Sequence, residues 1–269
     1  MMKFFSLISF FILLSFQLYA QSKKIIYVNE NYDIIDFHEF NRKLKSDLFF
    51  IAHVENDTAM YKKLRFKVFF GKLNSQKKSQ LNKLLYMRNR IDSTKIWLIH
   101  YIDSLPNPEL MPKKSGIVIL DSLGHEKGAV LTRKEFENSI VKNTNNSIKV
   151  KATVKHKHVL SYEDYTTRIL SEIKTYNKFD NSILLHFYNF NNGFPVNTDE
   201  LICLKDYNLS LRKTFTDGMR VYKKIIIYPD GDFCLGSFGN NYMDEKRLLK
   251  YRSFKKVEKK WNKKRKQYN

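Results

Sequence analysis

A chain of 269 residues with 43% hydrophobic and 14% aromatic side chains has material for one large domain or two small ones, which excludes global disorder. Its formal net charge of +21 points to a polyanionic partner, although Lys enriched together with Asn, Ile, Phe and Tyr also fits AT-rich coding. Only two cysteines, Cys203 and Cys234, are present; they are too far apart for a C-x-x-C motif, which argues against dithiol redox catalysis.

The opening "MMKFFSLISFFILLSFQLYAQSKK" has a basic start at Lys3, an apolar run Phe4–Phe16 and a polar end. A membrane-spanning helix needs about 20 apolar residues, and this run is shorter. It reads as a signal peptide over residues 1–20, cut after Ala20, with an uncleaved anchor as the other reading. The remainder is expected to be exported, to the periplasm or outside the cell, with no transmembrane segment after cleavage.

Strand, tight turn, strand and helix recur three times, around Asn29–Asn31, Asp121–Glu126 and Pro229–Gly231. In the last turn Pro229 presets φ and Gly231 supplies a residue able to go left-handed. "RFKVFF" and "SIKVKATV" alternate and suit half-buried or edge strands. "KIWLIHYI" (Lys95–Ile102), "SILLHFYNF" (Ser182–Phe190) and "KKIIIY" (Lys223–Tyr228) are nearly continuous apolar runs, as in strands covered on both faces. A helix is predicted from "SQKKSQLNKLLYMRNR" with Ser75 as N-cap. A second is predicted from "SYEDYTTRILSEIKTY", with Ser161 and Asp164 as a capping-box-like opening and Tyr165, Ile169, Ile173 and Tyr176 on one face.

"LLYMRNRIDSTKIWLIHY" echoes "EIKTYNKFDNSILLHFY": helix, Tyr, Asp, Ser, then an apolar strand with a His near its end. Helix, strand, connection, hairpin and helix in each half is an order that resembles the thioredoxin-like fold, a central mixed sheet with helices on both faces. The resemblance implies no activity, because the catalytic C-x-x-C is missing from both halves. The expected fold class is α/β, an α+β mixed sheet, in two thioredoxin-like-ordered halves at 21–145 and 146–245 with a basic tail at 246–269; a generic α+β sheet is the alternative.

Motifs for local active sites are missing: no G-x-S-x-G, P-loop, G-x-G-x-x-G or H-E-x-x-H occurs. "HEFNR" at His38 has Arg42 where the second zinc-binding His belongs. His156 and His158 share a face but lack a third ligand. His100 and His186 sit in apolar strands, either as tuned bases or as core histidines. No catalytic residue, metal or cofactor is assigned. Asp57, Asp92, Asp103 and Asp121, each followed by Ser or Thr, read as turn residues or as O-glycosylation tripeptides. Cys203 and Cys234 are a candidate disulfide in an oxidising compartment, or two buried thiols.

From Lys246 to Asn269 twelve basic side chains face one acid, a net of +11. Tyr251, Phe254, Val257 and Trp261 follow at helical spacing, with lysines between them. Such a helix either lies on an anionic surface or docks its aromatics on its own domain. The candidate binding residues are Lys255, Lys256, Lys259, Lys260, Trp261, Lys263, Lys264, Arg265 and Lys266. The favoured reading is a non-catalytic envelope binding protein, its partner an anionic surface, a polysaccharide or another envelope protein; export disfavours nucleic acid. The alternatives are a hydrolase with a non-local active site and a redox-inactive thioredoxin-like partner module.

Overall fold

The computed structural model describes residues 23–121, 123–144, 155–196, 203–215, 222–236 and 244–268, without the side chains of 87–89 and 139–144. The leader and "SIKVKATV" lie outside the described residues. Mixed α/β content is organised in three sheets and seven α-helices among them, an α+β fold. By compactness the chain divides into two units, one running up to Phe69 and resuming at Lys256, the other Phe70–Lys255. The boundary therefore falls away from the expected seam near residue 145.

The first unit holds β1 (Lys24–Val28), α1 (Phe37–Leu44), β2 (Phe49–Glu55) and β3 (Ala59–Phe66). The sheet order is β1-β3-β2, with β1 parallel and β2 antiparallel to β3. Asp36 caps α1 by accepting from the Glu39 N–H, and Phe40 of α1 packs on Tyr27 at 4.9 Å between ring centroids. Lys43 is buried against Glu30 at 3.0 Å, so its charge is paired.

The second unit is built on a six-stranded sheet in the order β10-β9-β5-β11-β12-β4. These strands are β4 (Val68–Lys72), β5 (Ile96–Leu105), β9 (Ser182–Asn191), β10 (Cys203–Lys205), β11 (Lys224–Ile227) and β12 (Asp232–Gly236). The three apolar runs form β5, β9 and β11, the middle of this sheet. β9 is parallel to β5 and to β10, while β11 is antiparallel to β5 and β12. Two separate thioredoxin-like halves do not form: β5 comes from one half and β9 from the other, and both contribute to one mixed sheet. Between them the chain makes a smaller antiparallel sheet, β7-β6-β8, from β6 (Gly116–Leu120), β7 (Glu126–Leu131) and β8 (His156–Val159).

Helices cover both faces of the large sheet. α2 (Ser75–Asn89) is capped by Asn74, one residue earlier than expected, because the Asn74 side chain accepts from the Lys77 N–H. α3 (Arg133–Thr144) follows β7. α4 (Tyr162–Tyr176) opens at Ser161, whose Oγ accepts from the Asp164 N–H. Ile169 of α4 is buried among Leu105, Tyr188, Phe194 and Cys203, with Tyr165 and Ile173 packed on that cluster. α5 (Ser210–Phe215) lies on the other face, where Phe215 meets Phe233 edge to face. α6 (Glu245–Leu248) and α7 (Tyr251–Arg265) end the chain. The β11–β12 hairpin turns at Pro229–Gly231 as expected, with Gly231 at φ +90°. A Cβ there would lie 3.4 Å from the Leu73 carbonyl oxygen. No helix among the described residues is long and apolar enough to cross a membrane.

Candidate functional site

Three adjacent strands set His186, His100 and Lys224 in one row. His186 is the register partner of His100 in the β9–β5 pair, and Lys224 is its partner in the β5–β11 pair. Register partners share a face, so all three side chains point to the side that α4 covers. α4 adds Glu172 and Tyr176, one turn apart on the same stripe. α6 adds Glu245.

His100, 3% exposed, bridges the two carboxylates. Its Nδ1 lies 3.1 Å from Glu172 Oε2 and its Nε2 3.3 Å from Glu245 Oε2. Burial pushes the imidazole pKa down, but the two carboxylates outweigh it and hold the ring above its ordinary value. Burial likewise works against ionised Glu245, yet His100, Lys224 and the Tyr176 hydroxyl bring its pKa to about 2. The Tyr176 O–H donates to Glu245 Oε2, and the Lys224 ammonium pairs with Oε1. Glu172 is less buried, and Arg168 stands 3.5 Å from its other oxygen. Its pKa is lowered despite desolvation, chiefly by His100.

His186 is different. It is 3% exposed, and neither ring nitrogen has a hydrogen-bond partner among the described residues. Leaving a buried polar atom unsatisfied costs on the order of 1–3 kcal/mol. Burial, and then the charge on His100 5.4 Å away between ring centroids, push its pKa down to about 4, so the ring is neutral. One ligand atom from each of His100, Glu172 and His186 lies within 4.8 Å of the others.

A cavity of about 640 Å³ opens elsewhere in this unit, between Ile91, Ile173, Phe179 and Leu185. None of His100, Glu172, His186 or Glu245 lines it. The acid–base groups and this cavity, whose wall also carries Lys95, Asn177 and Asp180, are therefore separate features.

The tail residues divide into two sets. Trp261 is not at a surface: it is 3% exposed and packs edge to face on Phe66 and Phe69. Phe254, fully buried, packs on Phe70 and Tyr228. Phe254 and Trp261 are thus spent on the protein itself, while Tyr251 is 45% exposed. Lys255 pairs with Asp232 at 2.5 Å and Lys264 with Asp47 at 2.6 Å, and Arg265 stacks over Phe66 and Trp261. Lys256, Lys259, Lys260, Lys263 and Lys266 remain exposed.

Cys203 and Cys234 are both buried and are not bonded to each other, so of the two readings the structure has buried thiols and no disulfide. They sit on β10 and β12, with β9, β5 and β11 between them. At about 4.8 Å per strand the gap is far beyond the roughly 7 Å that a disulfide bridges. Burial raises the Cys203 thiol to about 11. His156 and His158 are exposed on β8. Asp92 acts as a turn residue, accepting from the N–H and hydroxyl of Thr94.

No protein-family model, curated protein or solved structure matches this chain.

Proposed function

We propose that this chain is an exported, non-catalytic binding protein that docks on an anionic surface through the lysine face of α7. One observation carries the reading. Lys256, Lys259, Lys260 and Lys263 are exposed and have no ion-pair partner among the described residues. At 100° per residue they fall within about 100° of the helix circumference, opposite Phe254 and Trp261. The buried aromatics hold that stripe outward on a fixed element, so the lysines need no ordering when they bind. Each lysine brought to an anionic surface contributes roughly 1 kcal/mol. The attraction is electrostatic, since Phe254 and Trp261 of α7 are buried in the protein itself.

The test uses the full chain with vesicles of neutral lipid, vesicles containing anionic lipid, and a soluble acidic polysaccharide, at low and high salt. The expected result is binding to at least one anionic partner, lost at high salt and in K256E/K259E/K260E/K263E. The two anionic arms tell headgroup from polysaccharide. Equal binding by wild type and the quadruple variant, or none at low salt, overturns the proposal.

A hydrolase with a non-local active site is the second reading. The gathering of His100, Glu172, Glu245 and Tyr176 from separate elements favours it. That none of the four lines the 640 Å³ cavity weighs against it.

A further inference from the structure

Buried polar side chains without hydrogen-bond partners are rare in folded proteins. Where one occurs beside metal-ligating groups, an absent ligand is the economical explanation. His186 is such a side chain, and its ligand atom converges with those of His100 and Glu172. We propose that His100, Glu172 and His186 bind a divalent transition-metal ion of the zinc type.

The donor set fits that ion. Two imidazoles and one carboxylate suit zinc and its first-row neighbours, whereas magnesium and calcium take all-oxygen sites. Bonds of about 2.0–2.2 Å put the ligands of a tetrahedral ion about 3.4 Å apart. His100 Nδ1 and Glu172 Oε2 are already 3.1 Å apart. The remaining distances, none above 4.8 Å, close by rotation of the His186 ring. The ion takes the place of the proton between Nδ1 and Glu172. Three protein ligands leave a fourth position for water.

The outer shell is also in place. A ligating histidine usually donates its second N–H to a carboxylate, which fixes its tautomer. Here the His100 Nε2–H points to Glu245, and Tyr176 and Lys224 hold Glu245 in turn. The nearby cations do not block the site. Lys224 is paired with Glu245, and the Arg168 side chain is 64% exposed, free to leave Glu172 for solvent. Two ligands stand on adjacent strands in register and the third on a packed helix, so the site needs no loop to form it.

The full chain, treated with chelator and dialysed, is titrated with Zn²⁺, with metal content measured by mass spectrometry. Co²⁺ is added separately for its visible ligand-field bands. The expected result is one equivalent of Zn²⁺, undisturbed by excess Mg²⁺, and Co²⁺ bands of a four- or five-coordinate ion. H186L should fold, since it removes an unsatisfied polar group, and bind Zn²⁺ at least about tenfold more weakly. E172Q, at the rim of the cluster, should weaken binding likewise and is the fallback if H186L does not fold. H156A/H158A, which removes the exposed histidine pair, should change nothing. Absence of bound Zn²⁺ in the folded wild type overturns the proposal. So does binding that survives H186L and E172Q but is lost in H156A/H158A.

Discussion

His100 and His186 stand opposite each other in the parallel pairing of β5 with β9, their rings 84° from coplanar. The two stretches that echo each other in sequence thus become neighbours in space. Their histidines share a level of the sheet but not an environment. His100 lies between two carboxylates, and His186 has no hydrogen-bond partner among the described residues.

The first prediction concerns Glu245, buried under His100, Lys224 and Tyr176. Glu245→Ala removes the buried carboxylate that faces both His100 and Lys224. It should lower unfolding free energy by roughly 3–5 kcal/mol. Glu245→Gln, which keeps the shape and an acceptor oxygen, should cost less. Urea unfolding of both variants reads this directly, and a loss below about 1 kcal/mol for the alanine variant would show that these contacts add little.

Trp261 gives the second. It is core in the first unit, so Trp261→Ala should cost about 3–5 kcal/mol, as large aromatic truncations do. Ending the chain after Phe254 should open the first unit. Tyr268, edge to face with Phe49, is lost in the same cut. Limited proteolysis should cleave the truncated chain within residues 23–69 and leave full-length protein intact.

The third concerns acid. Burial disfavours ionised Asp232, but Lys255, Tyr251 and Lys72 outweigh it and hold its pKa below the ordinary 3.8. A depressed carboxylate pKa contributes stability that is complete above the unfolded value and is lost as pH falls through the folded one. Asp232→Asn should therefore destabilise at pH 7 and lose that effect as pH falls below the ordinary 3.8 and through the depressed folded-state value. Thermal unfolding of wild type and variant across pH 2–7 tests this; a difference that stays constant with pH would exclude it.

Much of the fold was legible in the residues. The apolar runs at Ile96, Ser182 and Lys224 became the middle of the large sheet, and Ser161 caps its helix where expected. The pairing of β5 with β9 was not legible, since it joins residues about 86 apart and no local period reports such a contact. For the same reason the sequence offered His100 and His186 without their carboxylates. Glu172 and Tyr176 lie one turn apart beside the Ile169–Ile173 face, where only the sheet register shows what they meet. The tail was read as amphipathic with either outcome open. Trp261 stands among the candidate binding residues on sequence alone, and only its packing on Phe66 and Phe69 shows that it turns inward.

Residues Lys256–Asn269 complete a unit whose other members lie before residue 70. During synthesis, domains generally fold from the N-terminus as they emerge. Here that order is blocked. β1, α1, β2 and β3 wait with an unfilled core until Trp261 has left the ribosome or, for an exported chain, the translocation pore. A stop codon ahead of Trp261 would strand the oldest part of the polypeptide rather than the newest.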